Sequence, residues 1–219
     1  MVNVWYVGSE RQALLRQTKL PRDRWLHADL CRAYRTVSYY SCTHRCEGRG
    51  ILASSFFFDR DIPDRRSFQK LFSTIARDLV RFDDNFAAHI SLILENDRSL
   101  ASACRSRQFD KHILEPACRH RIGTPAVIVI DALDEGCDLE TLEILRDQVP
   151  KLPGTFRFFV TSRPLDDVIT DLSDPGHVYH REIDIRGEKN QRDIVVYFLD
   201  RLHYISSWRR LDPDWAGIQ

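Results

Sequence analysis

An α/β fold, with a mainly parallel sheet covered by helices, is predicted by three features of the 219-residue sequence. Short apolar runs alternate with amphipathic stretches of helical period. Two of those runs, "AVIVID" at 126–131 and "RFFV" at 157–160, are apolar at successive positions, as strands buried on both faces are. Both runs end on charged or hydroxyl residues, which places polar chemistry at the carboxyl ends of the strands, where sheets of this kind hold ligands.

The elements follow in order. "GILASSFFFDR" (50–60) reads as a buried strand over 51–58 that ends in charge. "SFQKLFSTIARDLVRF" places Phe68, Leu71, Phe72, Ile75, Ala76 and Leu79 at helical spacing behind a Ser67 cap. A second helix includes Phe86, Ile90 and Ile93, and a third runs near "QFDKHILEPA", where Pro116 is expected to limit its length. After the strand at 126–130, Asp138 caps a helix with Leu139, Leu142 and Leu145 on one face. "TFRFFVTSRP" gives a strand over 156–161 that Pro164 stops, and a short helix follows through Val168, Ile169 and Leu172. "HVYHREIDI" is the last strand, over 178–185, and "NQRDIVVYFLDRLHYI" a helix with Ile194, Tyr197, Phe198, Leu202 and Ile205 inward. All four strands are expected in one sheet, with the 126 strand between the 51 and 156 strands.

Composition excludes several functions. Lys plus Arg and Asp plus Glu each total 32, so no net charge draws the chain to nucleic acid or an anionic membrane. Residues 1–50 hold nine Lys or Arg against four Asp or Glu, but no aromatic-interleaved basic pattern accompanies them. No stretch approaches the roughly 20 apolar residues of a membrane span. The six cysteines show no disulfide framework, and a reducing, cytoplasmic setting is expected. "SCTHRC" pairs Cys42 and Cys46 around His44, but a structural zinc takes four ligands and no second pair stands nearby, so zinc is not expected.

"AVIVIDALDEG" carries the chemistry. Its apolar strand ends on Asp131, with Asp134 and Glu135 close behind. Two readings stand: an acid that caps the next helix, or a Walker B acid held beside a magnesium ion that bridges nucleotide phosphates, with Glu135 placed to orient or deprotonate a water. Arg163, just beyond the next strand, either reaches a γ-phosphate or pairs with these acids.

"ILASSFFFDRD", "QFDKHILEPA", "AVIVIDALDEG", "RFFVTSRP" and "RDIVVYFLDRL" stand in an order and spacing that resemble the NACHT-type nucleoside triphosphatase domain of fungal NOD-like proteins of the STAND class, also described as the nephrocystin-like N-terminal type. The resemblance covers about 50–205. It implies a P-loop NTPase-like sheet with helices on both faces, incomplete on its N-terminal side. It also implies magnesium and ATP or GTP as cofactors, Asp131 as the magnesium residue, Asp134 and Glu135 as the catalytic acidic extension, Arg163 as the nucleotide sensor, and homotypic oligomers as partners.

The chain departs from that pattern at the phosphate cradle. A Walker A loop needs glycine amides and a Lys followed by Ser or Thr, yet no Gly-Lys pair occurs. "VNVWYVGSERQALLRQ" could supply a strand and a turn at Gly8 in the vacant central position, without phosphate ligands. Residues 1–49 are therefore read as a divergent or misjoined segment, with a degenerate paralogue as the competing reading. Residues 50–188 form the partial NTPase core, and 189–219 begin a truncated helical subdomain. The expected function is a nucleotide-binding signalling-switch module that as given neither binds nor hydrolyses nucleotide. The alternative is a nonenzymatic interaction fragment or pseudo-NTPase that joins or blocks oligomers of full-length relatives.

Overall fold

The computed structural model describes residues 2–7, 43, 46–66, 68–96, 99–100, 103–120, 122–136, 138–172, 176–183 and scattered positions from 187 to 206. Five strands form one sheet: β1 (Val2–Val7), β2 (Leu52–Phe57), β3 (Ala126–Asp131), β4 (Phe156–Ser162) and β5 (Val178–Ile183). Their spatial order is β2-β3-β4-β1-β5. β2, β3 and β4 pair in parallel, so the 126 strand lies between the 51 and 156 strands as expected. β1 pairs antiparallel with both β4 and β5, which leaves β5 running with the other three. The four predicted strands thus share one direction, and β1 alone is reversed.

The helices come where the period placed them. α1 (Leu71–Phe82), entered through a 3₁₀ turn at Phe68–Lys70, buries Leu71, Phe72, Ile75, Ala76 and Leu79. The Ser67 cap lies outside the described residues. α2 (Asp84–Asn96) buries Phe86 and Ile90. α3 (Arg105–Phe109) continues through a π turn (Asp110–Leu114) into α4 (Glu115–Arg119), so Pro116 does not end this helix. A proline ring crowds the carbonyl four residues back and offers no N–H to it; in the π turn just before it the bonding steps to five residues, as in Glu115 N–H to Asp110 O, and the widened turn gives the ring room. α5 (Leu139–Glu143) begins at an Asp138 cap whose Oδ1 accepts Thr141 N–H at 3.0 Å. Leu142 and Leu145 are buried but Leu139 is 64% exposed. Three-residue steps drift about 60° each around a 3.6-residue helix, so the first of three such leucines leaves the face that the last one enters. α6 (Asp166–Leu172) buries Val168 and Leu172.

One core joins these helices to one face of the sheet: Phe56, Ile128, Ile130, Phe158, Val160, Trp5 and Val7 meet Phe72, Ile75, Phe109, Leu145, Val168 and Leu172. The connections from β2 to β3 to β4 to β5 all step the same way across the sheet, and crossovers of one hand then lie on one face. On the opposite face Val127 and Val129 are also fully buried. Beyond β5, Val195, Phe198 and Ile205 are exposed, which corrects the inward placement of Phe198 and Ile205; Leu202 is half-buried, and Ile194 and Tyr197 lie outside the described residues. Among the described residues no helix is long and apolar enough to cross a membrane.

Candidate functional site

The carboxyl ends of β2, β3 and β4 lie side by side, with Phe57 in register with Asp131 and Ile130 with Val160. The chain leaves β3 through Ala132, whose φ of 55° and ψ of 45° are left-handed. This costs an alanine about 1 kcal/mol and folds the next residues, the 3₁₀ turn Leu133–Glu135, back toward β4. The β4 hydroxyl of Thr161 supports the bend by accepting Ala132 N–H at 3.1 Å.

The three acids do not form one cluster around Arg163. Asp131 turns to β4 and accepts the hydroxyl proton of Thr161. Burial pushes its carboxyl above the usual range, further raised by Asp134 and Glu135, while the Thr161 hydroxyl and Ala132 amide oppose the shift. Asp134, with a side chain only 3% exposed, is clasped by one residue twice. Its Oδ1 accepts Arg163 N–H at 2.9 Å and its Oδ2 accepts Arg163 Nε–H at 2.6 Å. Burial disfavours the Asp134 anion, yet these Arg163 donors outweigh it and hold the carboxyl below its usual range. Ser162 has a single hydroxyl proton, and Arg163 O at 2.8 Å takes it in preference to Asp134 Oδ1 at 3.4 Å. Glu135 spans two neighbours: Oε1 faces Arg163 Nη2 at 3.5 Å and Oε2 accepts Arg60 N–H at 3.1 Å.

The sequence reading located Asp131, Asp134, Glu135 and Arg163 at one end of the sheet but missed Arg60, Thr161 and Ser162. Arg60 also donates from Nη2 to Asp134 O at 3.3 Å. Its one visible signal was its position two residues past Phe58, at the charged end of "SFFFDR". Gly136 has a packing reason as well: a Cβ there would stand 2.8 Å and 3.0 Å from Phe58 ring carbons and 3.1 Å from Arg66 O. Gly136→Ala is expected to lower stability by about 1–2 kcal/mol, since Phe58 is fully buried and cannot swing away. Urea denaturation checks this, and an unchanged midpoint would contradict it.

These residues do not fit a magnesium ion as they stand. Both oxygens of Asp134 and both of Glu135 already face donors, and one oxygen of Asp131 holds Thr161. Among the described residues no group of three or more His, Cys, Asp or Glu is arranged to hold a metal. Cys42 and His44 lie outside them, and Cys46 is buried.

β1 fills the predicted gap but points the other way. Val7 is in register with Phe158 and Val178, at the start of β4 and β5, and Asn3 with Ser162. Val7, where the described part of β1 ends, therefore lies at the end of the sheet opposite the acids, and the turn expected at Gly8 lies outside the described residues.

The family model described as nephrocystin 3, N-terminal, matches residues 11–163, well over half of the chain. Comparisons with curated proteins and with solved structures give no match.

Proposed function

The chain belongs to the nephrocystin 3 N-terminal family, and on that premise we propose that it is a NACHT-type signalling-switch module whose nucleotide site has become a fixed ionic clasp. The observation that carries this reading is the reversed β1. Phosphate affinity in P-loop enzymes comes largely from backbone amides and a Lys placed over the Walker B acid, and those preorganised donors also stabilise charge in the transition state. Here the strand in the central slot runs antiparallel to β4 and ends, at Val7, on the side of the sheet opposite Asp131. No Gly-Lys pair exists elsewhere in the chain to compensate.

The side chains support the same reading. Arg163, the expected sensor, spends its backbone N–H and its Nε–H on Asp134. Glu135, the expected base, is turned toward Arg60 and Arg163. That the family match begins at residue 11 supports reading the segment ahead of Ile51 as a family segment whose loop has eroded rather than a misjoined one. A module of this kind acts by contact, joining or blocking the oligomers of relatives that retain the cradle.

Calorimetric titration with magnesium ATP and GTP is expected to show no micromolar binding. Phosphate release is expected to be the same for wild type and Glu135→Gln. Losing a single oxyanion donor typically costs about a hundred- to a thousandfold in rate, and a whole cradle is missing. Micromolar affinity, or phosphate release that Glu135→Gln abolishes, would overturn the proposal.

A further inference from the structure

The loop between β2 and the 3₁₀ turn at Phe68 closes on itself. Asp59 N–H bonds Arg65 O at 3.2 Å, Arg65 and Arg66 N–H both bond Ile62 O at 2.9 Å, and Asp59 Oδ1 accepts Asp61 N–H at 3.0 Å. This self-contained loop is pressed against the acidic turn at Gly136, where Phe58 and Arg66 O leave no room for a methyl group. Arg60 bonds across the seam twice, to Glu135 Oε2 and to Asp134 O.

We propose that Arg60 is a positioning residue of the acidic turn and that Glu135 relays the state of Arg163 to the 59–66 loop. The Glu135 carboxylate has one oxygen on each side, so the two neighbours set its orientation jointly. An anion that drew Arg163 away would release one oxygen and loosen the hold of the other on the Arg60 amide. The Arg60 guanidinium, bonded to the carbonyl between the two acids, carries the same dependence in reverse. The relay takes its signalling meaning from the proposed switch ancestry of this site.

The Arg60 amide is the reporter, followed by residue-resolved hydrogen exchange of the full chain. Glu135→Ala is expected to speed its exchange about tenfold. Arg163→Ala, which removes no atom that bonds the loop, is expected to speed it about threefold, with Ile128 at the sheet centre unchanged. Arg60→Ala is expected to speed exchange of the Arg163 amide, which Asp134 holds, and Arg60→Lys to restore part of the protection. An Arg60 amide indifferent to Arg163→Ala overturns the proposal. Equal acceleration at Ile128 also overturns it, because the loop would then merely follow global stability. No nucleotide enters the measurement, so a failed relay leaves the lost nucleotide site standing, and detected nucleotide binding leaves the relay standing.

Discussion

Asp134→Ala lowers stability at pH 7 by about 2 kcal/mol in the outcome we expect, through loss of two charge-assisted bonds to a buried carboxylate. The figure lies below the 3–5 kcal/mol typical of a broken buried pair because the Arg163 side chain is 55% exposed and can be hydrated once abandoned. The effect has a direction in pH. The native carboxyl of Asp134 is held below its usual value, so its contribution is complete above the ordinary aspartate range. It is lost as pH falls through the depressed native value. Denaturant midpoints of wild type and variant should therefore stay apart from pH 7 to 5 and converge only below the ordinary value of 3.8. A gap that is the same at pH 3 as at pH 7 would show that the clasp does not depend on ionisation.

Asp131→Asn is expected to act in the opposite sense, raising stability at pH 7 by on the order of 1 kcal/mol. Asp131 is half-buried, with its carboxyl raised by burial and by the neighbouring acids. For a carboxyl whose native value is raised, the folded state carries a penalty at high pH that is relieved as pH falls through that value. The amide oxygen of Asn still accepts the Thr161 hydroxyl, so the substitution removes the charge and keeps the bond. Thermal midpoints at pH 7 should rise, and the difference should shrink in acid. A lower midpoint for Asp131→Asn would mean that an unseen cation compensates the charge.

Much of this arrangement was legible in the sequence because it depends on period and sharp chemical change. The five apolar positions from Ala126 to Ile130 mark a strand buried on both faces, and all five are fully buried. Asp131 and Arg163 each sit where apolar sequence stops, which fixes them at the same end of parallel neighbours. The direction of β1 was not legible. Alternation along "VNVWYV" is the same read forward or backward, and direction is decided by pairing with β4 and β5 far along the chain. Arg60 escaped notice because half of its role belongs to a backbone N–H that any residue could present. Pro116 misled because its cost depends on the turn before it, and a widened turn leaves no compositional trace.

The reversed β1 also imposes an order on folding. β2, β3 and β4 can pair as soon as the chain through Ser162 is available. β1 must instead wait for β4, with Asn3 matched to Ser162, and its second partner β5 comes later still, with Val2 matched to Ile183. Until β1 docks, the outer edge of β4 is open, and until β5 emerges during synthesis the far edge of β1 is open as well. The earliest-made strand thus waits longest for its partners, and the interval before it docks is when a nascent chain is most exposed to edge-to-edge aggregation.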